Sequence, residues 1–311
     1  MIPIAIILDG NAVAKRVRIA VKKEATKLAT PPGLAVIQVG DDPASAVYVA
    51  NKRKDCVKCG IMSHAYHLEA GAGESRLLEL IHWLNDQPYI HGILVQLPLP
   101  DGYNTQNVIA SIAPEKDVDA FHTLTVGRFY LEGGLAAGIQ PTPAETTPLY
   151  GGGSFAPGAT YLPCTPAGIM ALLDAYEIDP LGKHAVVVGF SNIVGKPMSL
   201  MLLQRGATVT SCHIHTNDLA AHTRLADILV CAVGKPNLIT ADMVKPGAVV
   251  VDVGINRIID PASERICGDV DFDAVEEIAS YISPVPGGVG PMTRAMLMKN
   301  TLLAAQLSQS D

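Results

Sequence analysis

Two α/β domains, each built around a mostly parallel sheet, are what this sequence predicts, and three observations carry that expectation. Short apolar segments alternate with helix-like stretches in two separate blocks. Most of those segments are continuous Val/Ile/Leu/Ala runs rather than alternating ones, the pattern of strands covered on both faces. The chain has 311 residues, 49% hydrophobic against 17% charged, which is enough length and apolar material for two ordinary cores.

In the first block, Leu34 to Val39 reads as a buried strand that ends at Gly40-Asp41. A helix follows from about Ser45 to Gly60, then a strand from Ile61 to Leu68, a helix from Leu77 to Asn85 and a third strand from Gly92 to Gln96. Helical crossovers between parallel strands make this N-terminal domain a three-layer α/β unit. Residues 133–158 are rich in Gly, Pro, Ala and Thr and read as a loop insertion without a core.

The second block is more regular. His184 to Gly189 is a strand, Gly195 to Arg205 a helix, and Ala207 to Ser211, Asp227 to Ala232 and Ala248 to Val253 are further strands. This is the pattern of a Rossmann-like doubly wound parallel sheet. The expected division is 1–164 plus 286–311 as one domain and 165–285 as the other.

Composition narrows the function. A net charge of -7 and a pI near 5.7 give no basic face for nucleic acid. The mean hydropathy of +0.27 comes from short runs cut by Gly, Pro or charge, and none approaches the ~18 apolar residues of a membrane span. Met1 to Leu8 lacks a basic start and a cleavage site, so no signal peptide is expected. The six cysteines show no framework spacing, which suits reduced thiols in the cytoplasm.

Ala185 to Pro197 holds the strongest local signal in the second block. A strand runs into a turn that opens a helix, with Gly189 at the turn and Gly195 at the helix start. A helix N-terminus presents free N–H groups and a partial positive charge to a pyrophosphate. The spacing is Gly-x-Ser-x-x-x-Gly, and alone it suits a plain tight strand-to-helix turn equally well. Two more strands end in glycine, at Gly234 and at Gly254 before Ile255. In an open parallel sheet these ends share one edge, where ligands bind.

Tyr48 and Lys52 lie four apart on the predicted first-block helix, with Ser45 on nearly the same face. Such a face suits proton chemistry, although spacing alone favours a surface lysine beside a half-buried tyrosine. Cys56-x-x-Cys59 has no second pair for zinc, and His213 and His215 have no third ligand, so no metal site is expected. His64 and His67 read as surface residues, and Lys52 to Asp55 otherwise as a solvated helix face.

Five motifs now occur in order: Tyr48-Val49-x-x-Lys52, Gln96-Leu97-Pro98-Leu99-Pro100, Pro114-Glu115-Lys116-Asp117-Val118-Asp119, Pro163-Cys164-Thr165-Pro166, and Pro284-Val285-Pro286-Gly287-Gly288-Val289-Gly290-Pro291-Met292-Thr293. With the Gly189 segment they closely resemble the bifunctional methylenetetrahydrofolate dehydrogenase/methenyltetrahydrofolate cyclohydrolase family, from about Leu8 to the C-terminus. The resemblance implies oxidation of methylenetetrahydrofolate with NADP and hydrolysis of the methenyl product, in a homodimer whose active site is the cleft between its two domains. It implies Lys52 as the catalytic lysine with Tyr48 and Gln96 beside it, Asp119 holding the pterin, and Pro286, Gly287 and Gly288 covering the folate. Gly189, Phe190, Ser191, Ile193, Gly195, His213, Gly234 and Ile255 fall where the cofactor is held.

Three departures bear on these expectations. Phe190 stands where the family commonly has Arg, and Ile214 where it commonly has Ser, so two usual contacts to the NADP 2′-phosphate are missing and NAD becomes a candidate. Ala120 to Thr125 departs from the family's Gly-Phe-His-Pro-x-Asn. The stretch from Gly127 to Pro163 is about twenty residues longer than in the family.

Overall fold

A computed structural model describes residues 4–132, 161–260 and 263–309, and the insertion expected at 133–158 lies outside the described residues. The chain divides into two compact units. It opens with strand β1 (Ile6–Ile7) and helix α1 (Gly10–Ala25).

One unit contains described residues 15–132, 161–164 and 294–309. Its sheet comprises β2 (Gly33–Val39), β3 (Met62–Leu68) and β4 (Gly92–Val95), all parallel with β2 in the centre. Ala35, Ile37 and Val39 pack in one apolar cluster with Leu77, Ile81 and Leu84 of α3 (Glu74–Asn85). Leu34 and Val36, which alternate with them, are also fully buried, so both faces of β2 are covered. At the sheet edge β3 departs from the expected continuous burial: Ser63, His64 and Tyr66 are half-buried and Met62 is exposed. An edge strand has a neighbour on one side only, and its polar alternation is compatible with that.

Helix α2 (Pro43–Cys59) carries the candidate lysine. Asp42 caps its start by accepting from Ser45 N at 2.7 Å, and Gly60 ends it in the left-handed conformation with φ 72°. The expectation of a solvated face from Lys52 to Asp55 fails at Asp55, which is 3% exposed. Its carboxylate meets Arg294 Nε at 2.8 Å and Arg18 Nε at 3.7 Å. A buried carboxylate is costly to desolvate unless it is paired, and here its partners tie α2 to α1 and to α10 (Val289–Ser308). Two shorter helices, α4 (Thr105–Ala110) and α5 (Thr123–Glu132), complete this part of the chain.

The other unit contains described residues 4–14 and 165–293. After α6 (Cys164–Ala175) come β5 (His184–Val188), α7 (Gly195–Gln204), β6 (Thr208–Cys212), α8 (Leu219–Thr223), β7 (Ile228–Cys231) and β8 (Val249–Asp252). An antiparallel hairpin of β9 (Asn256–Asp260) and β10 (Ser263–Cys267) follows, then α9 (Phe272–Glu276) and β11 (Tyr281–Ile282). The sheet is six parallel strands in the order β1-β11-β8-β7-β5-β6. The chain moves from β5 out to β6 and then returns to β7 on the opposite side of β5. That reversal places a topological switch point at the carboxyl ends of β5 and β7.

The expected domain boundaries change at two places. Residues up to Ala14 and residues 286–293 group with the six-stranded unit rather than with the three-stranded one. Ile6 and Ile7 pair with Tyr281 and Ile282, so β1 covers an edge that would otherwise leave backbone groups unpaired. At Gly10 the carbonyl of Gly288 approaches to within 1.7 Å of where a Cβ would stand, so only glycine fits.

Two buried carboxylates organise the loops beyond β7 and β8. Asp269 accepts from the backbone N–H groups of Val233, Gly234 and Lys235 at 2.6, 3.0 and 2.8 Å and from Asn256 Nδ2 at 3.0 Å. Asp252 accepts from the N–H groups of Gly254, Asp269 and Val270, each at 2.9 Å. Burial pushes the Asp252 carboxyl up to about 6, and neighbouring Asp269 adds to the rise against the pull of those N–H donors. A carboxyl raised in the fold contributes stability that is complete below its unfolded pKa of about 4 and lost as pH rises through about 6. Asp252→Asn replaces one accepting oxygen by an NH₂ that faces a backbone donor. It should therefore lower stability by ~1–3 kcal/mol, and thermal melts should show a larger loss at pH 5 than at pH 7.5. A loss independent of pH would contradict this titration.

Candidate active site

Lys52 and Gln96 come from different elements and meet. Lys52 lies midway along α2, and Gln96 directly follows β4, where its N–H bonds to Ile37 O at 2.8 Å and continues the ladder. Lys52 Nζ donates to Gln96 Oε1 at 3.0 Å. Gln96 Nε2 donates to Leu97 O at 2.7 Å, which leaves Oε1 turned to the lysine. Both side chains are half-buried, as is Tyr48, one helical turn earlier on the same face.

Asp119 completes the group. It is half-buried, and its charge is close enough to Lys52 for each to shift the other. Burial lowers the Lys52 pKa from the usual lysine range, and the attraction of Asp119 opposes that shift. Burial likewise raises Asp119, and Lys52 opposes the rise. The neutral amine is therefore more accessible here than on a solvated lysine.

The segment that carries Asp119 is held from several directions. Lys116 Nζ donates to the carbonyls of Leu84, Asn85 and Gln87 at 3.2, 2.6 and 2.9 Å, which satisfies the C-terminal end of α3. Buried Asp117 accepts from the N–H groups of Phe121 and His122 at 3.2 and 2.8 Å. Between them Ala120 takes the left-handed conformation at φ 61°, at a position where the resemblance places glycine. Asn300 Nδ2 donates to Val118 O at 2.8 Å and to Leu162 O at 2.9 Å. The thiol of Cys164 donates to Val118 O at 3.4 Å and interacts with the Asp119 carboxylate, and burial keeps it protonated.

Sequence reasoning missed Asn300, Asp55 and the role of Cys164. Cys164 was visible within Pro-Cys-Thr-Pro, but that motif does not say what the thiol touches. Asn300 sits in a helix, 182 residues from Val118, and no local pattern marks it. Cys56 and Cys59 are buried, and burial pushes both thiols up to about 12, which leaves them poor nucleophiles.

The expected cofactor residues gather on one edge of the six-stranded sheet. Gly189 follows β5 at φ 109°, and Ala232 O lies 2.1 Å from where its Cβ would be. Gly195 has Gly189 O 2.0 Å from its own missing Cβ, so the first turn of α7 packs directly on the turn after β5. Ser191 Oγ accepts from Val194 N at 3.1 Å and Gly195 N at 3.4 Å and shapes that turn. Gly234 follows β7 at φ 75°, and Ile255 follows β8. His213 follows β6.

Large apolar side chains are exposed at these strand ends: Phe190 at 48%, Ile193 at 39%, Val233 at 45% and Ile255 at 46%. Glycine-lined turns at a switch point, rimmed by exposed apolar side chains, fit a dinucleotide with flat rings and a pyrophosphate. Pro286, Gly287 and Gly288 belong to this same unit. Gly287 O accepts from Asn11 N at 3.1 Å, and Gly288 N donates to Pro284 O at 2.8 Å, so the loop is fastened to the start of α1.

A dinucleotide-type sheet edge in one unit and a half-buried lysine, amide and carboxylate in the other define an α/β enzyme that joins hydride transfer to proton transfer. The tetrahydrofolate dehydrogenase/cyclohydrolase catalytic-domain model matches residues 8–119, and the NAD(P)-binding-domain model of the same family matches residues 163–309. The bifunctional protein FolD of Moorella thermoacetica is 52% identical over 303 residues, covering 96% of this chain and 98% of that protein. The crystal structure of the bifunctional enzyme FolD from Campylobacter jejuni is 47% identical, with a TM-score of 0.86 over 97% of this chain and 99% of that one. FolD from Trypanosoma brucei, complexed with NADP cofactor and inhibitor, is 35% identical with a TM-score of 0.88 over 99% of this chain and 100% of that one. This chain belongs to the tetrahydrofolate dehydrogenase/cyclohydrolase family. It is a bifunctional methylenetetrahydrofolate dehydrogenase and methenyltetrahydrofolate cyclohydrolase with an NAD(P)-binding domain. Among the described residues no helix is long and apolar enough to cross a membrane.

Lys52→Met should reduce hydrolysis of methenyltetrahydrofolate by about 100- to 10,000-fold, the usual weight of a general base. Dinucleotide affinity should change little, because Lys52 belongs to the three-stranded unit. Loss of methenyl absorbance and dinucleotide titration check the two halves separately, and wild-type hydrolysis in the variant would remove Lys52 from the mechanism.

Proposed function

We propose that Lys52 is the proton acceptor of the hydrolysis, that Gln96 orients it, and that Asp119 binds the pterin and sets the charge of Lys52. The observation that supports this most directly is the Lys52–Gln96 hydrogen bond at 3.0 Å beside a carboxylate that is itself opposed by burial. The methenyl group is a cation. Water adds to its carbon, and a proton leaves the adding oxygen for the lysine amine. The remaining hydroxyl of the adduct gives up its own proton to form the formyl carbonyl as the bond from that carbon to N5 breaks. N5 takes up one proton, and 10-formyltetrahydrofolate results with a net release of one proton. Gln96 Oε1 accepts one N–H of the amine and thereby directs its lone pair elsewhere. Tyr48 lines the same helix face. Asp119 suits the amide-like pterin edge, because one carboxylate accepts two adjacent N–H donors.

For the dehydrogenase, the bound nicotinamide supplies the hydride acceptor. The residues of this chain hold the folate methylene in register with it, because hydride transfer requires close contact and alignment. We propose NADP as the cofactor, held at Gly189, Phe190, Ser191, Ile193, Gly195, His213, Gly234 and Ile255, and the Pro286–Gly288 loop as the cover of the folate. The resemblance set out above also supports a homodimer in the cytoplasm.

The assignment has a pH signature. A lysine base works when neutral, so hydrolysis should rise with pH and level off below the ordinary lysine range, since burial lowers the Lys52 pKa. Asp119→Asn removes the charge that holds that pKa up. The rising limb of kcat should then move to lower pH, while Asp119→Ala should weaken folate binding by ~2–4 kcal/mol. A limb that stays in place would separate Asp119 from the lysine's titration, and an unchanged folate Kd would separate it from the pterin.

A further inference from the structure

Phe190 carries no charge, yet its ring seats one. Lys196 Nζ lies 5.2 Å from the centre of the Phe190 ring, within the range of a cation–π contact. Asn192 Oδ1 accepts from the same ammonium at 2.6 Å and fixes it there. Phe190 in turn stands edge-on to His213, with ring centres 6.5 Å apart, and His213 follows the carboxyl end of β6. The second strand of a doubly wound half ends where the adenosine ribose is recognised. Lys196 is thus carried from the first turn of α7 to the ribose end of the edge.

Two arginines of this unit are committed elsewhere. Arg224 donates from Nε to Asp242 O at 2.6 Å and pairs with the Asp242 carboxylate at 3.5 Å. Arg205 is bound to Asp174 at 2.9 Å. Lys196 has no carboxylate partner among the described ion pairs. The carboxylate that follows β6 most closely in sequence, Asp218, is turned to cap α8, accepting from Ala221 N at 3.1 Å. A phosphate at the ribose 2′ position therefore finds an available ammonium and a carboxylate engaged with backbone.

We infer that Lys196, seated on Phe190 and held by Asn192, is the residue that recognises the 2′-phosphate of NADP in this enzyme. The inference rests on the proposed use of NADP and names the group that selects it. The ammonium replaces a charge that position 190 does not provide, and the phenyl ring and the Asn192 amide order a side chain that would otherwise be mobile.

Calorimetric titration of the full-length protein with adenosine 2′,5′-bisphosphate and with 5′-AMP tests this without turnover. The wild type should bind the bisphosphate more tightly than 5′-AMP. Lys196→Met should weaken bisphosphate binding about tenfold, the scale of one charge-assisted contact, with 5′-AMP unchanged. Asn192→Ala should show a smaller loss of the same selective kind. Melting temperatures confirm that each variant is folded. A wild-type preference that survives Lys196→Met overturns this inference and leaves NADP use intact, as does an equal loss for both ligands. A wild type that does not distinguish the two ligands overturns the NADP proposal itself.

Discussion

The site depends on one opposed pair of charges. Lys52 and Asp119 are each drawn out of bulk water, and for each the charged form is kept accessible by the other. A lone buried ammonium or carboxylate discharges rather than pay several kcal/mol of desolvation, whereas a pair can remain charged or share a proton. Such a balance makes the neutral amine more accessible than on a solvated lysine, while the ammonium form still attracts its anionic partner. Cys164 and Asn300 hold the backbone at Val118, next to Asp119.

The six-stranded unit solves a comparable problem with buried acids. Loops beyond the carboxyl ends of β7 and β8 leave several N–H groups without strand partners. Asp269 collects three beyond β7, and Asp252 collects Gly254 beyond β8 together with Asp269 and Val270 beyond β10. The loops around Gly234 and Gly254 are thereby fixed by hydrogen bonds from the protein interior. Their outer side, with Val233 and Ile255 exposed, is left for a ligand. Binding to backbone already ordered in this way loses less entropy than ordering a free loop.

Much was legible in the sequence because it is encoded locally. Continuous apolar runs bounded by glycine marked β2, β4, β5, β7 and β8, and their lengths agree with the structure to within a few residues. Gly60 bounded α2 at its C-terminal end by ordinary capping chemistry. β1 and β11 are two-residue strands whose pairing is non-local, and so short a pattern carries no period to detect. That is why the pairing of the N-terminal segment with the six-stranded sheet went unread.

By itself, then, the sequence determined the fold class, the glycine turns at the strand ends and, through ordered motifs, the family and the choice of Lys52, Gln96 and Asp119 as candidate site residues. Only the tertiary structure decided the environment of those groups. Whether Lys52 faces water or a carboxylate depends on what α2, β4 and the turn at Asp119 bring together from positions 52, 96 and 119. Whether Asp55 is solvated or buried depends on Arg18 and Arg294, which come from the two ends of the chain. Charge states follow from desolvation and from neighbours within a few ångströms, and distance in space is the quantity that a linear pattern does not record.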